Sequence, residues 1–158
     1  ERPAWRILAI DASPLALDVA RDNARRLGLA TVSFESGHWF AGLAGRRFDL
    51  VVSNPPYVDA RDPALLALGH EPRQALTPGT DALADLRAII RAAPGHLNDG
   101  GWLALEHGAT QADEVARELV ARGFSSVRSH RDLAGHERVT EGRWASIAPP
   151  RHYQGNFS

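Results

Sequence analysis

Apolar residues along this chain fall into short runs, separated by stretches where they recur at helical spacing. The run WRILAID (5–11) is apolar and ends in an acid, the pattern of a strand buried in a parallel sheet. Over 13–29, Leu17, Ala20, Ala24 and Leu27 lie at helical spacing. Ser13 is placed to cap that helix, Pro14 suits its first turn and Gly28 its end. TVSFES (31–36) and FDLVVSN (48–54) predict two more strands. Residues 55–80 are rich in Pro, Gly and Asp and read as a long loop, a length that in a compact domain usually marks function or flexibility. A helix is predicted over 80–97, limited by Pro94, then a strand over 100–108. An amphipathic helix follows at 110–123, with Val115, Leu119 and Val120 on one side, and closing strands at 125–132 and 137–144. The tail 145–158 has no clear period.

Strands alternate with helices, so the fold class is α/β with a mostly parallel sheet. Ligands of such sheets sit outside the carboxyl ends of the strands. Two strand ends carry residues able to do chemistry there, Asp11 and Asn54.

Composition narrows the class. The chain has 158 residues, enough for one domain with a core, and 44% are apolar. No apolar run is long enough to span a membrane, and the start does not read as a signal peptide, so a soluble cytoplasmic protein is expected. Cysteine is absent, which removes disulfides and cysteine-based zinc sites, and the seven His show no metalloprotease spacing; no metal is expected. A net charge of −1 disfavours binding to nucleic acid by bulk electrostatics. All 18 basic residues are Arg. Methionine is missing even at position 1, which suggests a processed start or a piece of a longer protein.

At the end of a first βα strand an acid such as Asp11 can accept hydrogen bonds from both ribose hydroxyls of a nucleotide; it can equally cap the helix near Ser13. A Gly-rich loop belongs about 20 residues before such an acid, which here falls before Glu1. The sequence therefore reads as a doubly wound sheet lacking its first strand and that loop.

Asn54-Pro55-Pro56-Tyr57 is the more telling end. Pro55 drives Asn54 into an extended conformation, and neither proline has an N–H. The corner is stiff and its carbonyls have few competing donors. Asn54 adds an amide oxygen as acceptor and Tyr57 a flat face. Such a site suits a planar group bearing an NH₂, held by the Asn54 oxygen and the Pro55 carbonyl. An amide nitrogen is a poor nucleophile because its lone pair is delocalised. Two acceptors push electron density toward it and fix its direction, so attack on an electrophilic methyl carbon becomes mainly a matter of positioning.

That tetrapeptide resembles the amino-methyltransferases that use S-adenosylmethionine. Together with ILAIDASPLALDVARDNARRLGL, WF at 39–40, FDLVVSNPPYVD, HEPRQAL at 70–76, GGWLALEHG and RDLAGHERVTEGR, the chain is similar to the release-factor glutamine methyltransferase family, the HemK-like enzymes, over residues 5–144. The resemblance implies a Rossmann-like methyltransferase domain over 1–144 with a tail at 145–158. It implies methyl transfer from S-adenosyl-L-methionine to the side-chain amide nitrogen of the Gln in the Gly-Gly-Gln motif of peptide-chain release factors. By the same resemblance Asp11 binds the cofactor ribose, Trp39 packs near the adenine and Asn54 lies between cofactor and substrate. Asn54, Pro55, Pro56 and Tyr57 hold the Gln amide.

The sequence also departs from the family. His38 stands where an acid usually addresses the adenine amino group; a neutral imidazole keeps one acceptor for it. Ala82 stands where Gly is frequent. The Gly-rich loop and the family's small N-terminal helical domain are missing, so the 158 residues alone are expected to bind the cofactor weakly or not at all. The competing readings are a glutamine methyltransferase acting on a ribosomal protein, an amino-methyltransferase acting on nucleic acid, and a non-catalytic fragment or binding module. Glu71 reads as an exposed loop acid, and Glu106 and His107 as structural residues at a strand end.

Overall fold

The structure is a computed structural model that describes residues 5–57 and 81–145. Residues 58–80 of the loop expected over 55–80, with Glu71 and HEPRQAL, and residues 146–158 of the tail lie outside the described residues. The chain divides into two compact units, Glu1–Arg46 and Arg47–Ser158.

The first unit contains strand β1 (Ile7–Asp11), helix α1 (Pro14–Arg26) and strand β2 (Val32–Ser36). β1 and β2 pair in parallel, from Ile7 opposite Val32 to Asp11 opposite Ser36. The Ser13 hydroxyl caps α1 by accepting the Ala16 N–H at 3.3 Å, and Pro14 opens it. Leu17 and Ala24 form its buried face, whereas Leu27 is exposed, so the predicted stripe is narrower at its end. Gly28 leaves the helix at φ +66°, where a Cβ is disfavoured.

The second unit is a four-stranded sheet in the order β3-β4-β6-β5. Its strands are β3 (Phe48–Ser53), β4 (Leu97–Glu106), β5 (Ser125–Arg131) and β6 (Glu137–Arg143). β3 and β4 are parallel; β4–β6 and β5–β6 are antiparallel. This sheet is mixed: its antiparallel part is made by the closing strands, because the chain returns from β5 through a tight turn that cannot make a parallel crossover. Helices α2 (Ala84–Ala92) and α3 (Ala112–Ala121) bury Leu86, Ile89, Ile90, Val115 and Leu119. Helix α3 lies against β5 and β6, and on β4 Leu103 and Leu105 are fully enclosed. Val120, expected on that side, is exposed. Arg87 ties α2 to α3 through Glu114 and Glu118, and also holds Asp81 at 3.0 Å just before α2. The hydrogen bond to Glu118 leads in raising the Arg87 pKa above its ordinary value.

The predicted helix over 80–97 is shorter at both ends. Its start is a turn in which the Asp81 carboxylate accepts the Leu83 N–H at 3.0 Å. At Pro94 the helix passes into a single 3-10 turn, Ala93–Gly95, and Leu97 already belongs to β4. The start of β4 bulges against β3, and Gly101 is required there: a Cβ would lie 3.0 Å from the Asn98 carbonyl oxygen and 3.1 Å from that of Phe48.

β1 and β3 each pair on one side only among the described residues. Val52 on β3 is 71% exposed, unusual for an apolar residue of a parallel strand.

Candidate functional site

In the first unit the carboxyl ends of β1 and β2 lie side by side and gather Asp11, His38 and Trp39. The Asp11 carboxylate accepts the Ser13 N–H through Oδ1 at 2.7 Å, bracing the turn into α1. Its Oδ2 has no hydrogen bond among the described residues. The helix-side role considered from sequence therefore occupies one oxygen and leaves the other available.

Across the strand pair, the Gly37 N–H donates to the Asp11 carbonyl at 3.1 Å. This bond pins the turn that presents His38 and Trp39. A Cβ at Gly37 would crowd Ile10 Cγ2 at 3.2 Å and the Ala41 carbonyl oxygen at 3.3 Å. Trp39 adopts φ 53°, a strained conformation for a bulky aromatic residue. Its ring lies 4.9 Å from that of exposed His38, tilted by 54°. The indole Nε1 is buried yet lacks a hydrogen-bond partner among the described residues. An orphaned donor of this kind costs about 1–3 kcal/mol, and a bound ligand that accepts from it recovers that cost. A carboxylate oxygen and a strained aromatic N–H, both without a partner among the described residues, fit a nucleoside.

In the second unit the chain leaves β3 at Asn54. Asn54 is exposed, Pro55 is fully buried, and Pro56 and Tyr57 are half-buried. Neither the Asn54 side chain nor the Pro55 carbonyl has a hydrogen bond among the described residues, so both acceptors are available. Tyr57 is held on two sides. Its hydroxyl donates to Glu106 Oε1 at 3.1 Å, and its main-chain carbonyl accepts from Gln111 Nε2 at 3.2 Å.

Each predicted residue within the described range thus lies at a strand's carboxyl end or in the loop leaving it: Asp11, His38 and Trp39 in one unit, Asn54 to Tyr57 in the other. Glu106 is a partner of Tyr57 and no mere strand terminus. His107 is fully buried, with Nδ1 2.9 Å from the Gly108 carbonyl oxygen and Nε2 2.8 Å from Thr140 Oγ1, in line with the structural role expected. Gln111 was invisible in the sequence. Its one local signal is a Gln directly before a helix, where Ser, Thr, Asp or Asn would cap better; its side chain makes no capping bond to α3.

The model of a family described as a methyltransferase domain matches residues 1–146. A release factor glutamine methyltransferase of Pseudomonas aeruginosa is 48% identical over 147 residues, covering 92% of this chain and 53% of that protein. The relative of that name from Escherichia coli is 38% identical over 146 residues, covering 91% and 53% respectively. This chain thus spans about half the length of the curated relatives it matches. A crystal structure described as a release factor-specific protein-(glutamine-N5) methyltransferase, from Alicyclobacillus acidocaldarius, superposes with a TM-score of 0.50 at 26% identity, covering 89% of this chain and 80% of that one. A methyltransferase from Pyrococcus furiosus superposes with a TM-score of 0.65 at 19% identity, covering 89% and 63%, and carries the likeness of fold alone.

Proposed function

The chain belongs to the methyltransferase-domain family, and from that premise we propose that it is part of a protein-(glutamine-N5) methyltransferase. Its substrate in this reading is the Gln of the Gly-Gly-Gln motif of peptide-chain release factors, and its methyl donor S-adenosyl-L-methionine. The carrying observation is the corner after β3, where two acceptors without a hydrogen bond among the described residues, the Asn54 amide oxygen and the Pro55 carbonyl, precede the anchored Tyr57. Relatives named for this activity support the choice of a protein Gln over other amides.

In this reading the Asn54 oxygen and the Pro55 carbonyl each accept one N–H of the substrate carboxamide. Tyr57 provides a face for the amide plane. Binding both hydrogens keeps the nitrogen lone pair pointed in one direction and draws electron density onto it. Burial of Pro55 fixes its own carbonyl before substrate arrives, so less ordering is left for the reaction itself. The amide proton becomes acidic as nitrogen gains its fourth bond, and the Asn54 oxygen holds it until it leaves to water. When bound, S-adenosylmethionine supplies the electrophilic methyl group on its sulfonium. Asp11 Oδ2 is assigned to its ribose, and His38 and Trp39 to its adenine. The protein partner is the release factor itself.

Replacement of Asn54 tests this most simply. In the full-length protein Asn54→Ala removes one acceptor from an exposed position, so the fold is retained while transfer falls by at least about 100-fold. Near-normal turnover would refute the assignment.

A further inference from the structure

The corner Asn54-Pro55-Pro56-Tyr57 cannot fasten itself. Its two prolines have no N–H to offer, so the last residue must be held by groups from elsewhere in the sheet. Among the described residues, those groups come from the end of β4 and the turn into α3. Glu106 accepts the Tyr57 hydroxyl at 3.1 Å. Gln111 bridges: its Nε2 donates to the Tyr57 carbonyl at 3.2 Å, while its Oε1 accepts the Gly108 N–H at 2.8 Å. Gln111 thus spends both ends of its amide on this contact.

Gly108 is fixed from its other side as well. Its carbonyl lies 2.9 Å from His107 Nδ1, which must donate because a carbonyl cannot. His107 Nε2 lies 2.8 Å from the Thr140 hydroxyl oxygen. The Thr140 and Ser129 hydroxyls share a hydrogen bond of 2.8 Å. His107 and Thr140 are fully buried. A continuous chain of hydrogen bonds therefore runs from β5 through β6 and β4 to the Tyr57 carbonyl. A Cβ at Gly108 would come within 3.1 Å of Gln111 Oε1, so the bridge also relies on glycine there.

Resting on the methyltransferase reading, we infer that Gln111 and Glu106 are positioning residues that set where the Tyr57 ring and the acceptors before it point. Neither side chain needs to touch substrate. Releasing either lets the corner rotate, which degrades the alignment on which attack depends.

The test uses the full-length protein with Gln111→Leu, Glu106→Leu and Glu106→Gln, and a Gly-Gly-Gln peptide as substrate. Gln111→Leu is expected to lower kcat about 10- to 100-fold, with KM for the donor and affinity for S-adenosylhomocysteine changed less than about threefold. Glu106→Leu should lower kcat as well, and Glu106→Gln, which keeps an acceptor for the hydroxyl, should recover most of that loss. In a Tyr57→Phe background Glu106→Leu should cost nothing further. A wild-type protein that methylates the peptide, together with Gln111→Leu at wild-type kcat, overturns the clamp and leaves the functional reading standing. A wild-type protein that methylates no Gln overturns the functional reading. The clamp is then judged by hydrogen exchange at the Gly108 amide: faster exchange in Gln111→Leu upholds it, and unchanged exchange refutes it.

Discussion

The Gly37 N–H donates to the Asp11 carbonyl at 3.1 Å and joins the ends of β1 and β2. Through it the residue assigned to ribose and the turn assigned to adenine move as one piece. A Val at Gly37 would push into Ile10 Cγ2 and the Ala41 carbonyl, already 3.2 and 3.3 Å from an added Cβ. In the full-length protein Gly37→Val is expected to weaken S-adenosylhomocysteine binding at least about tenfold by calorimetric titration, an effect on the scale of one or two lost hydrogen bonds.

The orphaned indole N–H gives a sharper probe of the same half-site. Trp39→Phe removes the donor and keeps an aromatic ring. Because the N–H has no partner among the described residues, its removal relieves a desolvated group without ligand and forfeits a hydrogen bond with it. Affinity for S-adenosylhomocysteine should fall about 5- to 10-fold. Unchanged affinity would show that the indole N–H does not meet the cofactor.

Helix α3 holds the second unit together through Leu119, which is fully buried. Leu119→Ala should cost about 2–5 kcal/mol of stability, read as a drop in melting temperature on the order of 10 °C. A shift under about 2 °C would mean that α3 contributes little to this core.

The turn between β5 and β6 predicts an acid response. The Asp132 carboxylate accepts the His136 and Ala134 N–H groups, both at 2.9 Å, and pairs with Arg138 at 3.2 Å. The His136 N–H leads in holding its pKa below the ordinary 3.8. A folded pKa below the unfolded one adds stability above the unfolded value and loses it as pH falls through the folded one. Asp132→Asn should therefore melt below wild type at pH 7, and the gap should close as pH falls below 3.8. A gap independent of pH would place the effect outside this carboxylate.

Much of this architecture is written in local sequence. Ser13, Pro14 and Gly28 mark α1 within a residue or two, because caps and glycine act on their own backbone. Asp11 and Asn54 stood out because each ends an apolar run. Leu97 was misread as helical, since its spacing from Ile90 also suits a helix and only pairing with β3 makes it a strand. The support of Tyr57 was not legible: Glu106 and Gln111 lie 49 and 54 residues further along the chain, and only sheet pairing brings them back. Residues that touch ligands leave marks at strand ends, whereas residues that hold them in place need leave none.

The central claim is the Gln of the release factor's Gly-Gly-Gln motif as methyl acceptor at the Asn54 corner. Mass spectrometry of release factor, ribosomal protein and nucleic acid, each incubated with the full-length protein and S-adenosylmethionine, tests it most directly. One added methyl on the Gln of the release factor's Gly-Gly-Gln motif, lost in Asn54→Ala, is the result predicted. A methyl found only on ribosomal protein or nucleic acid, or on none of the three, would contradict it.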